Sequence, residues 1–402
     1  MRRLTAAFLS LAMIPAICIP CGADAADTAS GYKFLFTVDN GTVTITGASG
    51  SGSTLTVPEK IDGLKVVSIA DNFFEGSLEL TSLTLPDSLR SIGNRAFTAC
   101  QELTTVYIGA DTSKIGDYAF SACPALKSIE VSKDNKVYRS ENGSLYKDDA
   151  LILYAGSESA EISPSTRVIG KRAFFGKTEL DSVSIPDSVE LIGDYAFSGC
   201  LALKKAVIPD SVANMGNYCF LSCSSLKEVE LSRSLKMIPE NCFSGCSALQ
   251  EINIPDSVSY IGAGALYSCE SLKSIYVPPT VETIGANALG RTYSLRSGTE
   301  ANIQDFRIFG KPGSTAEKYA KELGISFEEG EGFILGDVDG NNIIDARDAS
   351  MTLTEYAWLS TEHDPTFTAR QNKAADFNTD GIVDGTDATA ILTYYARMSV
   401  EH

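Results

Sequence analysis

The sequence predicts a solenoid of stacked repeats, each contributing one short β-strand and a turn or short helix, followed by a small all-α module. Three observations predict it. Leucines recur at Leu80, Leu103, Leu126, Leu180, Leu203, Leu226, Leu249 and Leu272, which sets a period of about 23 residues. An aromatic column keeps that spacing at Phe74, Phe97, Phe120, Phe174, Phe197, Phe220 and Phe243, then fades into Leu266 and Leu289. Beyond Gly332 the composition changes and a second duplication, offset by 39 positions, takes over. A 23-residue unit cannot bury its own apolar face, so neighbours must stack and extend a shared core.

With 402 residues the chain exceeds one ordinary compact domain, and two modules are the minimum. Residues 1–25 read as a secretory signal: Met1-Arg2-Arg3, an apolar run from Leu4 to Pro20, and Ala23-Asp24-Ala25. The run is short and lacks a stop-transfer flank, which argues against a membrane anchor, and Pro20 before Cys21 suits a lipoprotein site poorly. No other stretch is long and apolar enough for a membrane span. Residues 26–53 are expected to form an N-terminal cap, two strands between Gly31 and Gly47 joined at Asp39-Asn40-Gly41. Such a cap covers the outer face of the first layer.

The repeats are expected over residues 54–300. In each, a segment such as Leu180-Asp-Ser-Val183-Ser-Ile185 alternates apolar and polar residues, as a strand with one buried side should. A proline often ends it, at Pro86, Pro186, Pro209, Pro255 and Pro278, because proline cannot donate to a ladder. The glycines Gly93, Gly116, Gly170, Gly193, Gly216, Gly262 and Gly285 are expected to supply a second tight turn, with Pro239 as a local departure. An insertion near 132–165 carries Val137-Tyr138, Asn142-Gly143, Leu145-Tyr146 and Leu151 to Tyr154, which reads as a β-hairpin. It either shapes a binding face or merely extends the sheet.

The repeats resemble BspA-type leucine-rich repeats, from roughly Thr54 to Leu289. The resemblance is carried by LxxLxL, the Ile-Gly pair, Ala-Phe and a following Cys, all in register. It implies a curved leucine-rich-repeat solenoid with a strand-lined face and a binding role, and it implies no reaction. Residues 301–329 read as the C-terminal cap: a strand from Phe306 to Gly310, then Ser314-Thr-Ala-Glu317 as a capping box. That box opens a helix from Thr315 to Leu323, which Gly324 stops, and a short strand from Ile325 to Phe327 follows. Residues 330–333 form an acidic, glycine-bearing linker.

The formal charge is −18, and loss of the signal makes it about −19, because two arginines and one aspartate leave. Such a chain is a poor partner for nucleic acid or anionic lipid. Six of the ten cysteines, Cys100, Cys123, Cys200, Cys223, Cys246 and Cys269, stand three positions after the aromatic column. Cys219 and Cys242 form a shorter column directly before Phe220 and Phe243. Repeat register explains this as a ladder of buried thiols, although secreted proteins also form disulfides. No CxxC zinc spacing occurs in the mature chain.

The last module, expected over 334–402, carries the metal chemistry. Asp337 to Asp348 and Asp376 to Asp387 present oxygen-bearing side chains at loop positions 1, 3, 5, 9 and 12. These are Asp337, Asp339, Asn341, Asp345 and Asp348 in one copy, and Asp376, Asn378, Asp380, Asp384 and Asp387 in the other. Backbone carbonyls of Ile343 and Ile382 supply position 7. This spacing wraps the chain around a hard cation, and two Ca²⁺ ions are expected. Four aspartates per loop would otherwise repel one another; the bland alternative is a pair of solvated acidic turns.

Each loop ends on aspartate rather than glutamate, and neither follows a convincing helix. In both respects the region from Gly336 to Ser399 resembles a type I dockerin, although Asn342 stands where glycine is usual. The resemblance implies docking to a cohesin on a scaffolding protein of a cellulosome-like assembly. It also implies that Ala346, Arg347, Leu353, Thr354 and Trp358 contact the cohesin in the first copy, and Gly385, Thr386, Leu392, Thr393 and Arg397 in the second. Because Trp358 and Arg397 differ, one binding orientation should be preferred; the alternative places Trp358 in the core.

The function expected is therefore a secreted, noncatalytic binding subunit whose solenoid engages a protein or glycan. The strand-face residues Thr84, Tyr107, Glu130, Ser184, Val207, Glu230, Asn253 and Tyr276 form no aromatic stripe and name no ligand. An enzyme is the competing class. His363 and His402 are the only histidines and both lie in the tail, so no Ser-His-Asp or Cys-His pair fits within the repeats. A carboxylate-pair glycosidase stays open on composition, but Asp87, Asp187, Asp210 and Asp256 follow prolines as turn residues do. A scaffold-attached inhibitor or adhesin falls within the binding class.

Overall fold

The structure, a computed structural model, describes residues 31–330, 335–338, 344–361, 363, 365–367 and 369–400. The signal expected over residues 1–25 lies outside them. The chain divides into two units, one comprising residues up to Phe120 with Glu130–Tyr138, the other Ser121–Ile129 with the rest of the chain.

In the first unit, strands Tyr32–Asp39 and Thr42–Gly50 pair antiparallel. Their turn places Asn40 at φ 49° and Gly41 at φ 75°, the left-handed pair that matches the twist of a hairpin. The second strand pairs parallel with Leu64–Ile69, so the cap continues the solenoid's own sheet. Strands Ser91–Ile92 and Lys114–Ile115 extend that stack. A second stack runs through Thr54–Thr56, Ser82–Thr84 and Thr105–Ile108. Ser82 pairs with Thr105 and Ser91 with Lys114, so one sequence period is one layer.

The second unit repeats this plan. One stack carries Lys205–Val207, Glu228–Glu230 and Glu251–Ile252, and another Val168–Ile169, Leu191–Ile192 and Asn214–Met215. The insertion supplies antiparallel strands Ser144–Lys147 and Ala150–Leu153, the latter joining the parallel stack at Val168. It extends the sheet. At the far end, Ser274–Tyr276, Arg307–Gly310 and Ser326–Glu329 are parallel neighbours, and α1 (Thr315–Leu323) packs beside them. Ser314 caps α1 by accepting from the Glu317 N–H, and Gly324 ends it at φ 64°. An antiparallel hairpin, Arg291–Ser294 with Thr299–Asn302, follows the last repeat layer.

The interior is built from two ladders. Phe174, Phe197, Phe220 and Phe243 stack with centroids 4.7, 5.0 and 5.4 Å apart. Beside them, the thiols of Cys200, Cys223, Cys246 and Cys269 donate to the carbonyls of Phe174, Phe197, Phe220 and Phe243, at 3.1–3.3 Å. A cysteine suits this place because its small thiol fills an apolar gap and still satisfies a carbonyl.

Two details differ from expectation. The glycine column does not supply left-handed turns: a Cβ on Gly216 would lie 2.2 Å from the Asp194 nitrogen, and one on Gly93 2.4 Å from the Ala70 carbonyl carbon. Close approach of successive layers is what demands glycine there. The left-handed backbone falls two residues later, at Arg95, Tyr118, Arg172, Tyr195, Tyr218, Asn241, Gly264 and Asn287, with φ between 50° and 63°. Arginine and tyrosine pay for this conformation through the surrounding hydrogen bonds, such as Tyr195 N–H to Asn217 O at 3.0 Å. Gly216→Ala is expected to cost about 1–3 kcal/mol in urea unfolding, because the obstacle is backbone rather than a movable side chain. A change below about 0.5 kcal/mol would contradict this reading of the column.

The cysteine column is broken once. Lys177 takes the place one period before Cys200, is only 4% exposed, and donates to Leu126 O at 2.7 Å and Gly156 O at 3.2 Å. Tyr154 of the inserted layer stacks on Phe174 at 4.7 Å. The lysine therefore bridges carbonyls left over where the insertion interrupts the repeat. Burial holds its amine down to about 8.

Candidate metal centre and docking face

The second loop begins directly after α3 (Ala369–Ala375) and runs into α4 (Gly385–Val400). The sequence reading found no helix ahead of it; the seven residues of α3 are a correction, and their short length explains why no apolar periodicity announces them. Gly381, at position 6, takes φ 87°, the left-handed conformation of a sharp loop turn. The Asp376 and Asn378 Oδ1 atoms both accept from the Asp380 N–H, at 3.0 and 2.8 Å, and Asp380 Oδ1 accepts from the Ile382 N–H at 2.9 Å. Ile382, at position 7, is itself 64% exposed.

Positions 9 and 12 have the same geometry in both copies. Asp345 caps α2 (Ala346–Leu359), accepting from the Arg347 N–H at 2.6 Å, while Asp348 Oδ2 accepts from the Asp345 N–H at 2.8 Å. In the second copy Asp384 accepts from the Thr386 N–H at 2.7 Å, and Asp387 Oδ2 from the Asp384 N–H at 3.0 Å. Asp348 and Asp387 are both fully buried. Their remaining oxygens accept backbone N–H groups from the loop start, Val338 at 2.8 Å and Asn378 at 3.0 Å. The Thr386 hydroxyl and N–H hold the Asp384 carboxyl below the usual range.

Each position-12 carboxylate thus ties both ends of its loop together and caps the following helix. Asp337 is likewise buried, whereas Asp339, Asn341 and Ile343 lie outside the described residues. Among the described residues no three His, Cys, Asp or Glu side chains converge into an ion-sized cluster. The donor set nonetheless fits a hard cation: it is all oxygen, anionic, and gathered on loops closed by their own amides.

Between the loops, a small core gathers Val338, Ala349, Ala375 and Ile391. Glu355, which sequence reasoning passed over, is buried within α2. It accepts from the N–H groups of Thr366 (2.8 Å) and Phe367 (3.1 Å) and from the Thr366 hydroxyl, fixing the interhelical segment. The signal was a lone glutamate on the apolar side of a helix.

The residues assigned to partner contact are mostly at the surface: Ala346, Arg347, Leu353, Thr354 and Trp358 are exposed, as are Thr386, Leu392, Thr393 and Arg397, with Gly385 half-buried. Leu353 is 52%, Leu392 48% and Trp358 44% exposed, so the tryptophan is not a core residue. Helices α2 and α4 pack against each other.

On the solenoid, the strand-face residues Glu130, Ser184, Val207, Glu230 and Asn253 are exposed and Thr84, Tyr107 and Tyr276 half-buried. Of their charges, Glu230 meets Lys205 at 2.6 Å, and that lysine also reaches Glu228 one layer on at 3.0 Å. Of the recurring turn aspartates, Asp210 binds Arg233 and Asp87 accepts from the Ala110 N–H at 2.9 Å. A cleft of about 310 Å³ is lined by Val168, Lys171, Leu191, Asp194 and Met215, over Gly170, Gly193 and Gly216. No helix among the described residues is long and apolar enough to cross a membrane.

Stacked strands with a one-period register, joined to a duplicated acidic loop and helix, define a class of protein: a leucine-rich-repeat solenoid that carries a dockerin-type tail. The family described as BspA type Leucine rich repeat region matches residues 58–151 and 155–299 in 6 copies, and the chain belongs to it. The Dockerin type I domain matches residues 335–394.

Among solved structures, a leucine rich cell surface protein from Faecalibacterium prausnitzii is 21% identical, covering 77% of this chain and 99% of its own, at a TM-score of 0.38. The pneumococcal vaccine antigen PcpA is 17% identical over 76% and 98%, at 0.45. A leucine-rich repeat protein from Bacteroides ovatus is 24% identical over 74% and 98%, at 0.34. Comparison with curated proteins finds no relative.

Proposed function

We propose that this chain is a secreted, noncatalytic binding subunit that docks through its calcium-dependent tail onto a cohesin of a cellulosome-like scaffold, while the solenoid holds a protein or carbohydrate ligand. The observation that carries the reading is the duplicated loop: at positions 39 residues apart, a fully buried aspartate closes an acidic loop onto a helix with the same amide contacts. Asp337, Asp339, Asn341, Asp345 and Asp348 would hold one ion, and Asp376, Asn378, Asp380, Asp384 and Asp387 the other, with Ile343 and Ile382 offering carbonyls. Bound calcium would neutralise the aspartates of each loop and favour the closed form.

In the docked state α2 and α4 would present Leu353, Thr354 and Trp358 with Leu392, Thr393 and Arg397, and the loop ends Ala346, Arg347, Gly385 and Thr386. The apolar members supply burial, and the charged ones set orientation. The noncatalytic assignment is supported by Asp87 and Asp210, whose carboxylates are engaged by the next layer rather than by another carboxylate. A pull-down of the full chain on immobilised cohesins tests the reading. Retention by at least one cohesin in calcium and release in EDTA is expected; retention unchanged by EDTA, or hydrolysis of a glycan by the chain, would overturn it.

A further inference from the structure

The chain has a single tryptophan, Trp358, at the C-terminal end of α2, and the structure stacks an imidazole on it. The ring centroids of Trp358 and His363 lie 4.0 Å apart with the planes tilted by 31°. Thr361 stands between their backbones. Its hydroxyl donates to Trp358 O at 2.8 Å, and its N–H reaches the same carbonyl at 3.2 Å. A hydroxyl has one proton, so the 2.8 Å contact between Thr361 Oγ1 and His363 Nδ1 requires the imidazole to donate from Nδ1. The result is a directed chain, His363 Nδ1–H to Thr361 Oγ1–H to Trp358 O, ending on a carbonyl of the helix terminus, where donors are favoured.

We propose that Thr361 and His363 form a clasp that fixes the Trp358 indole in the orientation it presents to a cohesin, making His363 a positioning residue for the first-copy half of the docking face. This rests on the cohesin-docking reading of the tail. An exposed indole otherwise samples several rotamers and loses that freedom when a partner binds; holding it in advance removes the cost. The sequence offset of 39 places Arg397 opposite Trp358, so the second copy offers no indole for such a stack. The clasp therefore biases recognition toward the first copy, by an amount set by one aromatic contact, about twofold to tenfold in affinity.

The single tryptophan makes the clasp observable without any partner. In the calcium-loaded full chain, His363→Ala is expected to increase iodide quenching of Trp358 fluorescence, while His363→Phe, which keeps an aromatic face, leaves it near wild type. Against a cohesin that binds the wild-type chain, His363→Ala should weaken binding about twofold to tenfold and His363→Phe should restore it. In a Trp358→Ala background, His363→Ala should cost nothing further. Unchanged quenching in His363→Ala, or an equal affinity loss in the Trp358→Ala background, would overturn the proposal. Failure of every cohesin to bind would sink the docking reading and the clasp's part in recognition, whereas failure of the quenching arm alone would sink the clasp and leave docking standing.

Discussion

Replacing Asp348 and Asp387 together by alanine is expected to unfold the helical tail and abolish partner binding. Each carboxylate is fully buried and accepts two backbone N–H groups, one from the loop start and one from the helix cap. Stranding those donors costs about 1–3 kcal/mol per site, and the loss of a cap lies in the same range. A module this small has a stability of only about 3–5 kcal/mol, so the double variant should lose most of its helical signal in far-UV circular dichroism.

The asparagine pair separates two roles. Asp348→Asn with Asp387→Asn keeps an acceptor and the shape but removes the charge. If the aspartates only cap helices, calcium should change the helicity of neither the wild type nor these variants. The metal reading requires calcium to raise the helicity of the wild type and to do little in these variants, because the hard cation loses its anionic position-12 donors.

The second large effect is alkaline loss of the solenoid. Burial pushes the thiols of Cys200, Cys219, Cys223, Cys246 and Cys269 above the usual value of 9.0, to about 12 for Cys269. A raised folded pKa means that the native state holds its proton after the unfolded chain has released it. The stabilisation is complete below pH 9 and is withdrawn as pH rises toward the folded values.

All five thiols act in this direction, so together they withdraw stability as pH rises through and above 9. Lys177 works in the opposite direction. Its amine falls from 10.5 to about 8, so burying it charged opposes folding below pH 8, and that penalty of about 3 kcal/mol is relieved between 8 and 10.5. The thiols outweigh this relief, so the expected profile falls as pH rises above 8, and Lys177 only softens the fall. Lys177→Met should steepen the fall, because it removes the opposing relief. Urea midpoints measured from pH 7.5 to 10.5 under reducing conditions read both; a fall no steeper in Lys177→Met, or stability still climbing at pH 10, would contradict the assignment.

What the sequence made legible follows from what repetition preserves. Leucine, phenylalanine and cysteine columns announce layers because each layer must meet its neighbour with the same side chain, and Ser82 does pair with Thr105 one period on. Local chemistry was equally plain at Ser314 and Glu317, where a cap needs only residues within one turn. Turns do follow the glycine column, but what demands glycine there lies across layers: the Cβ of Gly216 would strike Asp194, a neighbour that no local pattern reveals. Left-handed backbone at Tyr195 and Tyr218 was hidden because those residue types disfavour it.

In the tail, oxygen spacing exposed the loops, since ligand geometry is written in fixed sequence positions. Glu355 and the Trp358–His363 stack were not legible, because their partners lie on the segment after α2 and depend on how it folds back.

The central claim is that calcium closes both loops of the tail. Titration calorimetry of the metal-free full chain with calcium tests it most directly. The account predicts saturable binding of two ions with a matching gain in helical circular dichroism, both lost in the Asp348→Ala, Asp387→Ala chain. No calcium heat, or full helicity in EDTA with undiminished cohesin binding, would contradict it.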